Sequence, residues 1–511
     1  MVTLRPLCLL AALVLCATTV LPAGAQNAQR QLVIVLDQEP GGTDPAQSIA
    51  QPSTAMLTEN VEEPLVGADN NGRPVPTLGR WTIIDGGKIV EFHLKPGIKF
   101  HSGDPLTATD VVFSIERSMA QSASFRSYYR GNFDHAAAVN PATVRFYFKT
   151  ANVSLIYARN LYIGSKAYYD RVGEKEYVAA MDGTGPYKLV TYKAGQYADL
   201  EAFDGYWGGT PAIKKVRFYF IKDDSTRAAK LRSGEADLIV AAPWDQADAL
   251  QKSGFHIASA DTHPLMAINF QLWNPSTPWA KLKVRQAIAH AIDGNAIATG
   301  LLHNVPTREP MLTLGEVGFD PTLKPYSYDP ALAKKLLAEA GFPNGFTMPI
   351  FWPQSAYGMR ETVEAVALYL KAVGITVNVT QLETVQNQAL LDKQAKDPNF
   401  VYVQLRSMPL SNYSDPASMT YFTLSAHGAN SVYKPSDPHF EDLADEAITE
   451  YDDKQRGATV RKALRMVYDD VGIIGLWHAK TLYAMKPDVT YTPVQHRMPL
   501  MRLMNVRLKG N

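Results

Sequence analysis

Cysteine is almost absent from this chain. Its 511 residues include two cysteines, Cys8 and Cys16, and both lie within the first 25 positions. If that leading segment is removed, no cysteine remains for a disulfide, a thiol nucleophile or a thiolate metal ligand. The scarcity therefore excludes a disulfide-stapled scaffold, thiol catalysis and cysteine-ligated metal sites in the mature protein.

A surplus of charge is also absent. Lysine and arginine together number 50, aspartate and glutamate number 50, and the formal net charge is zero. Proteins that hold nucleic acid regardless of its sequence use excess positive charge, so the composition argues against that class and leaves only a local basic patch open. Hydrophobic residues at 46% are ordinary for a globular protein, and the length predicts more than one domain.

Apolar runs long enough to cross a bilayer are missing too. The N-terminus instead has the pattern of a secretion signal: Arg5 gives a positive start, residues 9–21 form a short apolar run, and residues 23–25 are small. We predict cleavage after Ala25, which leaves a mature chain that begins at Gln26 and lies in the periplasm.

Two alternatives compete with cleavage of this N-terminal segment. An uncleaved membrane anchor is one alternative, and the shortness of the apolar run disfavours it. A lipid anchor on Cys16 is the other, and it is disfavoured because Leu15 is larger than the small residue usual before such a cysteine. Simple secretion therefore fits the segment best.

No catalytic or metal-binding arrangement stands out. His93 and His101 are eight positions apart across a turn, and His256 and His263 are seven apart. Neither spacing is that of two histidines on adjacent turns of a helix, and no Gly-x-Ser-x-Gly nucleophile elbow occurs. The sequence therefore predicts neither an enzyme nor a bound metal or cofactor.

The most informative segment that is present covers residues 91–119. Residues 91–94 alternate as in a strand, and residues 95–97 and 102–105 contain the glycine and proline of turns. Thr107 then lies three positions before Asp110, as in a capping box, ahead of a helix that carries Val111 and Ile115. The segment predicts a strand, a turn and a capped helix.

Strand and helix patterns alternate through the rest of the chain. Residues 31–36 and 213–221 have strand patterns, and a helix capped by Asp223 or Asp224 precedes a strand at 237–240. That helix is predicted to end at Gly234, and three further helices are predicted to end at Gly294, Gly341 and Gly374. The helix that ends at Gly341 is predicted to start at Asp329 and Pro330. We therefore predict an α/β fold with mixed or largely parallel sheets.

Five blocks carry a family resemblance. Residues 91–119 resemble the signature of the extracytoplasmic solute-binding proteins of ABC importers, family 5, the dipeptide, oligopeptide and nickel class. The blocks GTGPY, FDGYWGG, VRQAI with AID, and YDP through AEAGFP follow in the family's order, at residues 183–187, 203–209, 284–293 and 328–343. One block alone is weakly specific, whereas five in order are strongly specific and span nearly the whole mature chain.

The resemblance implies a periplasmic-binding-protein-like fold in which two lobes surround a cleft. Lobe I would comprise residues 26–60, 183–267 and 478–511; an inserted domain II would comprise 61–182, and lobe III 268–477. The lobes would close over a small molecule or peptide by hinge motion. The protein, a monomer, would then deliver its ligand unchanged to a membrane permease and its ATPase subunits, with no role for nucleic acid.

Dipeptide-binding members hold the ligand's amino group with an aspartate in a block that here matches residues 412–416. Asn412 replaces that aspartate, and Tyr413 and Ser414 follow it. A carboxamide offers no full negative charge to an ammonium group. Asp415 keeps the family's position before proline, where shaping the turn is the alternative to contacting the ligand.

The same members hold the peptide carboxylate with an arginine just past a strand near Trp352, and residues 351–355 contain none. Arg360 falls in the next helix, where an exposed face is expected. Arg406 is the best remaining cation for a carboxylate or phosphate, with an exposed strand end as the equal alternative. Both halves of the clamp for a free dipeptide are therefore missing.

Aromatic and glycine residues complete the set of site candidates. Trp244, Trp273 and Trp352 belong to segments that border the cleft in relatives, where indoles could stack on sugar or peptide planes; core packing is the even alternative. Gly185 belongs to a block that joins domains beside the cleft, and that block lacks the third glycine of a phosphate-binding loop.

We expect a ligand other than a free dipeptide. The candidates are a longer or modified peptide, an opine-like or other small organic acid, and an oligosaccharide; a nickel chelate is less favoured because no histidine pair is clustered. Two other classes of function stay open, a secreted hydrolase with a carboxylate-lined cleft and a chemosensory or chaperone binding protein on the same fold.

Overall fold

The structure is a computed structural model. It describes residues 30–509 apart from 49–51, 71–72, 123–124, 127–128, 130–131, 158–160, 354–357, 384–385, 388, 391–392, 394–396, 398, 409–414, 427–436 and 496–499. The expected signal segment, with both cysteines and the cleavage site, lies outside the described residues. No helix in the described part of the chain combines the length and the apolar character that a membrane span requires.

The strands are numbered in chain order. They are β1 (Gln31–Leu36), β2 (Val66–Ala68), β3 (Pro74–Pro76), β4 (Gly79–Ile84), β5 (Ile89–Leu94), β6 (Phe133–Asn140), β7 (Thr143–Phe148), β8 (Tyr187–Lys193), β9 (Tyr197–Ala202), β10 (Lys215–Phe220), β11 (Leu238–Val240), β12 (His256–Phe270), β13 (Phe346–Pro353), β14 (Ile375–Leu382), β15 (Val403–Met408), β16 (Ile473–Met485), β17 (Val489–Tyr491) and β18 (Val506–Leu508).

The α-helices alternate with these strands. They are α1 (Pro45–Ser48), α2 (Pro52–Val61), α3 (Ala108–Gln121), α4 (Ser154–Tyr157), α5 (Lys166–Val172), α6 (Glu174–Ala180), α7 (Asp224–Ser233), α8 (Ala247–Lys252), α9 (Leu282–Ala291), α10 (Gly294–Ala296), α11 (Pro330–Glu339), α12 (Met359–Ala372), α13 (Pro416–Met419), α14 (His439–Thr449) and α15 (Asp453–Asp469).

Ten strands form one mixed sheet in the order β14-β13-β15-β12-β16-β11-β1-β10-β9-β8. β1 pairs in parallel with β10 and β11, and β13 pairs in parallel with β14 and β15. The other neighbours in the sheet pair antiparallel. This mixed α/β architecture confirms the predicted fold class.

Two long strands, β12 and β16, lie next to each other between β15 and β11, and we call them the crossing strands. Their antiparallel ladder pairs His256 with Met485 at one end and Asn269 with Ile473 at the other. Its main register break lies between Asp261 and Leu265, and a second shift follows between Met266 and Ala267. On one side of the break β16 pairs with β11, and on the other side β12 pairs with β15. The break therefore separates a first group of strands, β1 with β8–β11, from a second group, β13–β15.

Both groups direct the carboxyl ends of their parallel strands toward this break. β11 ends at Val240, which pairs with Tyr483, whereas β15 ends at Met408, which pairs with Leu265 opposite His478. Tyr483 lies five residues beyond His478 on β16, which corresponds to roughly 16 Å along a strand. The loops after β1, β11, β13 and β15 consequently emerge toward the same stretch of the crossing strands.

The signature segment folds as its pattern predicts. β5 joins β4, β7 and β6 in a separate antiparallel sheet, and α3 packs against it through the buried Val111 and Ile115. The backbone N–H of Thr107 donates to Asp110 Oδ2 at 2.8 Å, so the capping box is present. The apolar interior here includes Phe92 and Phe146, whose rings meet edge to face.

Most predicted helix ends are confirmed, and one is wrong. Asp223 caps the N-terminus of α7, because its side chain accepts from Thr226 N, and the helix ends at Gly234. Gly294 does not end a helix as expected: α9 stops at Ala291, and Gly294 opens α10. The side chain of Asp293 accepts from Ala296 N at 2.9 Å and caps α10, so Gly294 occupies the first position of a helix rather than the end of one.

Candidate functional site

The candidate site is the region where the carboxyl ends of the two strand groups approach the break in the β12–β16 ladder. Open α/β sheets hold their ligands beyond the carboxyl ends of strands because loops there can converge on one molecule. Trp244 follows β11, Trp352 lies near the end of β13, and Arg406 lies near the end of β15. The structure therefore brings these three predicted residues to one edge region of the sheet.

Three predicted residues have no described position. Asn412, Tyr413 and Ser414 belong to residues 409–414, which lie outside the described residues, as do residues 354–357 after β13. Their roles in contacting a ligand stay predictions. The flanking residues on both sides, Met408 at the end of β15 and Asp415 before α13, are described and are buried.

Asp415 has both of its carboxylate oxygens engaged inside the protein. Oδ1 accepts from Ala417 N at 2.8 Å and so caps α13, and Oδ2 accepts from Arg456 Nε at 2.8 Å. Both side chains of this ion pair are fully buried. The bond to Ala417 gives Asp415 the turn-shaping role that the sequence offered as the alternative to ligand contact. The bond to Arg456 is an additional contact that no local sequence pattern indicates.

Arg406 lies two residues before the end of β15 and is half-buried. Its Nη1 lies 3.5 Å from Gln404 Oε1, and the fully buried Gln404 donates in turn to Asn387 Oδ1 at 2.6 Å. Partial burial lowers the local dielectric and would strengthen an ion pair with an incoming carboxylate. The position suits the predicted role of holding an anionic group.

The two tryptophans at this edge are packed into the main apolar core. Trp244 is 5% exposed and meets Trp477 edge to face at 5.8 Å, while Trp352 is 4% exposed. The exposed Arg360 extends its guanidinium to 5.9 Å from the ring of Trp352. Core packing, the alternative left open by the sequence, accounts for both indoles as they lie in the fold; stacking on a ligand stays a prediction.

Trp273 is not brought together with the other candidates. It follows the carboxyl end of β12, next to Asn274, whose Nδ2 donates to Asn399 O at 3.0 Å just before β15 begins. Arg406 lies toward the opposite end of β15. Because β12 and β15 are antiparallel, Trp273 and Arg406 belong to opposite edges of the second strand group.

Gly185 is held by close backbone packing. Its N–H donates to Val61 O at 3.0 Å, and a Cβ at this position would lie 2.7 Å from the carbonyl oxygens of Asn60 and Val61. The carbonyl of Gly185 is 2.9 Å from His101 Nε2. Burial lowers the pKa of His101 to about 4, so the ring is neutral at pH 7 and donates this bond from a protonated Nε2.

An arginine that the sequence did not single out closes the carboxyl edge of the first strand group. Arg227 of α7 is 4% exposed, and its guanidinium donates to the carbonyls of Ile221 and Lys222 after β10 and of Ala241 after β11. Burial raises the pKa of Asp37, which follows β1, and the positive charge of Arg227 opposes this increase. Only the three-dimensional meeting of these strand ends reveals this role.

No cluster of three or more histidine, cysteine, aspartate or glutamate side chains able to hold a metal ion occurs within the described residues. Chemically, the described part of the edge offers a half-buried guanidinium, buried amides and packed indoles. Such groups can bind a polar molecule by hydrogen bonds and charge.

Comparison with known proteins finds a matching family model, relatives of similar sequence and solved structures of similar fold. The model of the family described as bacterial extracellular solute-binding proteins, family 5, middle region, matches residues 74–431. The glutathione-binding protein GsiB of Escherichia coli O1:K1 is 26% identical over 378 residues, which are 73% of each protein.

Two solved structures share the fold over 94% of this chain. NikA from Brucella suis, in complex with Fe(III)-EDTA, superimposes with a TM-score of 0.81 at 22% identity over 100% of its own chain. The ABC transporter-associated periplasmic binding protein DppA from Helicobacter pylori, in complex with the peptide STSA, gives 0.75 at 23% identity over 98% of its chain. At these identities the likeness establishes the fold alone.

Proposed function

The chain belongs to the bacterial extracellular solute-binding proteins of family 5, and we propose that it captures a peptide-like or other small organic solute between two lobes and delivers it to an ABC permease. The family match over residues 74–431 is the observation that carries this proposal. Members of this family bind solutes, so the protein is a binding protein and not an enzyme. The hydrolase alternative therefore has no support.

Capture would proceed by closure about the crossing strands. The proposed lobe I (26–60, 183–267 and 478–511) holds the first strand group, and the proposed lobe III (268–477) holds the second. The register break in the β12–β16 ladder is where a bend would disturb the fewest backbone hydrogen bonds. A solute that contacts both lobes only in the closed state favours closure by its differential affinity.

Glutathione is the solute we propose to test first. The relatives named as glutathione-binding proteins support it, and so does the absence of both halves of the free-dipeptide clamp. Glutathione is a modified tripeptide with a γ-linkage, so its amino group and carboxylates are not spaced as in a dipeptide. Arg406 is the proposed partner of one carboxylate, and Asn412, Tyr413 and Ser414 are the proposed contacts at the amino end.

The setting of this activity follows from the same proposal. We propose that the segment before Gln26 is removed on export, that the mature protein works in the periplasm as a monomer, and that its partners are a permease and two ATPase subunits. Supporting features are the charged start, short apolar run and small residues of the N-terminal segment.

A binding screen tests the function directly. The mature chain would be purified, any bound compound identified by native mass spectrometry, and thermal shifts recorded with reduced glutathione, alanylalanine, simple sugars and organic acids. A true solute at ~100 times its Kd should stabilise the native state by roughly 2.7 kcal/mol and be recovered unchanged. No shift with any of these classes, or a chemically altered compound, would contradict the proposal.

The variant Arg406→Gln tests the proposed anion contact, with Arg461→Gln, an exposed arginine of α15, as its matched control. Loss of a charge-assisted hydrogen bond should weaken glutathione binding by roughly 1.5–3 kcal/mol, whereas the control should leave it unchanged. Equal affinities for both variants and the parent protein would remove Arg406 from the site.

A further inference from the structure

Two charged side chains near the main register break of the crossing strands have no ion-pair partner among the described residues. They are Asp37, which directly follows β1, and Arg308, which lies between α10 and α11. Both side chains belong to half-buried residues. A charge that is withdrawn from water needs a hydrogen-bonded partner of opposite sign, so each of the two is a candidate contact for a charged group of the solute.

Asp37 lies at the carboxyl edge of the first strand group. The carbonyl of Leu36 before it accepts from Ile221 N at 3.0 Å, which places Asp37 beside the loop that follows β10. Burial raises the pKa of Asp37, and the charge of Arg227 opposes this increase. Arg227 gives its hydrogen bonds to backbone carbonyls, and no side chain in the described part of the chain donates to the Asp37 carboxylate. The carboxylate can therefore accept hydrogen bonds from a solute.

Arg308 lies beside the second strand group, along the crossing strand β16. Thr307 pairs antiparallel with His478 through two backbone hydrogen bonds, one of 3.2 Å from Thr307 N and one of 2.7 Å from His478 N. His478 is the residue of β16 at which the main register break begins. The guanidinium of Arg308 donates through Nη1 to the carbonyl of Leu476 on the same strand. Arg308 is therefore held next to the break, on the side of the proposed lobe III.

The charge of Arg308 is only weakly compensated by the protein. Its Nε donates to the neutral Asn295 Oδ1 at 3.2 Å, and within the described residues no carboxylate lies at ion-pair distance from the guanidinium. Burial lowers the pKa of Arg308, and the charge that opposes this decrease is that of Asp293. The Asp293 carboxylate accepts from Ala296 N at 2.9 Å and so serves as a helix cap. Arg308 consequently keeps N–H groups that can donate to an anionic group of a solute.

Asp37 and Arg308 lie on the same face of the ten-stranded sheet. The main apolar core covers this face and includes Val35 of β1 and Trp477 of β16, whereas separate cores cover the opposite face. The helix that carries Arg227, α7, packs into the main core, and so does α9, which directly precedes α10. One charge therefore belongs to each strand group, with the main register break between them. The charges that act on them are those of Arg227 and Asp293 rather than each other.

We propose that the solute is a zwitterion, that Asp37 of the proposed lobe I contacts its ammonium group, and that Arg308 of the proposed lobe III contacts a carboxylate at its other end. Asp37 then supplies, from the opposite lobe, the negative charge that the carboxamide of Asn412 does not offer. Because the two contacts come from different lobes, a solute makes both only in the closed state and so favours closure. This inference rests on the proposed function and names the chemical class of its solute.

Calorimetry with matched solutes and variants tests both contacts. The solutes are reduced glutathione, its analogue without the amino group, and its analogue with the glycine carboxylate converted to a carboxamide. Asp37→Asn and Arg308→Gln should each weaken glutathione binding by about tenfold or more, because each removes a charge-assisted hydrogen bond. Asp37→Asn should not further weaken binding of the amino-free analogue, and Arg308→Gln should not further weaken binding of the carboxamide. The exposed controls Asp248→Asn and Arg461→Gln should leave all three affinities unchanged.

Thermal unfolding of the solute-free protein separates solute binding from a structural role of Asp37. Asp37→Asn should keep or raise the unfolding midpoint, because it replaces a charge that has no ion-pair partner within the described structure. Asp237→Asn is the comparison, because the buried Asp237 pairs with Arg30 and, at 2.8 Å, with Lys486. Its loss should lower the midpoint. An equal fall in both variants would show that Asp37 stabilises the fold and would contradict the inference.

The outcomes distinguish this inference from the proposed function. Unchanged glutathione affinity in Asp37→Asn or in Arg308→Gln, or an equal loss for glutathione and for the matched analogue, would overturn the inference and leave solute binding intact. If the parent protein binds another solute of the screen instead of glutathione, the same two variants are measured with that solute. Unchanged affinity, or binding of a neutral sugar alone, then overturns the inference. If no solute of the screen binds, the proposed function fails, and the zwitterion contacts fail with it.

Discussion

The proposed inserted domain (residues 61–182) is joined to each of the two proposed lobes, and the two joints are built differently. Toward the proposed lobe I, Arg117 forms a bidentate pair with Asp44 at 2.6 Å, and Glu63 accepts three hydrogen bonds from side chains of that lobe. Toward the proposed lobe III, the joint is a smaller seam at residues 152–157, where Asn152 and Tyr157 form hydrogen bonds to that lobe. Opening the first joint would expose buried charged groups to water or leave them without partners. The second joint contains fewer hydrogen bonds and ion pairs.

This difference indicates where movement can occur when a solute binds. The first joint also contains the loop of the signature segment: the backbone N–H of His101 donates to Gly183 O at 2.9 Å, and the His101 ring donates to Gly185 O at 2.9 Å. The segment that carries the family resemblance most strongly therefore holds the proposed inserted domain against the proposed lobe I. For the closure proposed above, we therefore expect the proposed lobe I and inserted domain to move together relative to the proposed lobe III.

Breaking the first joint at its centre should have the largest effect. Arg117→Met removes the guanidinium that pairs with the buried Asp44, and loss of one member of such a pair costs roughly 3–5 kcal/mol. Urea unfolding of the variant would measure this loss. Arg171→Met, which breaks the largely exposed pair with Asp104, should cost less than about 1 kcal/mol. Similar losses in both variants would remove the distinction between fastening and surface pair.

Glu62 offers a pH-dependent test of the same joint. Burial, and then the charge of Asp44, raise the pKa of Glu62 to about 8 from an ordinary 4.5. Because the folded state favours the neutral acid, this contribution to stability is complete below pH 4.5 and is lost as the pH rises to about 8. Glu62→Gln should therefore stabilise the protein at pH 8 by on the order of 2 kcal/mol and change little at pH 4.5.

Unfolding midpoints at the two pH values, with the exposed Glu364→Gln as control, measure this effect. A Glu62→Gln variant whose effect on stability is the same at both pH values would show that the pKa of Glu62 is not raised in the folded protein. That outcome would contradict the inferred protonation of the joint.

The next largest loss of stability is expected when a side chain is added where backbone segments pack closely in the first joint. In Gly185→Ala the new Cβ would meet two carbonyl oxygens that belong to the end of α2, and overpacking of this kind costs about 1–3 kcal/mol. Gly300→Ala is the control, because a Cβ there would meet nothing within 4 Å. Thermal unfolding that shows Gly185→Ala as tolerant as Gly300→Ala would mean that the packing at this glycine is loose.

The smallest effect is expected at the second joint. Tyr451→Phe removes one hydrogen bond to Asn152 O, which is worth about 1 kcal/mol. If the seam is the part that opens, the variant should also raise hydrogen exchange in residues 152–157 more than in α3. A loss as large as that of Arg117→Met would contradict the contrast between the two joints.

Much of the fold could be predicted from local pattern. The strand at 31–36, the capping box of Thr107 and Asp110, and the Asp329–Pro330 start of α11 depend on neighbours within a few residues, and all are confirmed. Gly294 misled because a glycine that follows a helix cap, here Asp293, looks the same in sequence as one that ends a helix. The rest depends on pairs remote in the chain.

The candidate site shows the same division. Asp415 before a proline is a local turn signal, and its capping bond to Ala417 is two residues long. Its partner Arg456 is 41 residues away, and Asp44 and Arg117 are 73 apart, so no periodicity indicates either pair. A fully buried arginine becomes visible only when the surrounding carbonyls and carboxylates are assembled.

Small-angle scattering tests hinge closure most directly. The mature protein would be measured with and without saturating reduced glutathione, and the solute would be recovered and weighed by mass spectrometry. We predict a smaller radius of gyration with the tripeptide bound, and recovery of intact glutathione. Identical scattering from samples that calorimetry shows to be bound and free, or recovery of an altered compound, would contradict capture by closure of two lobes.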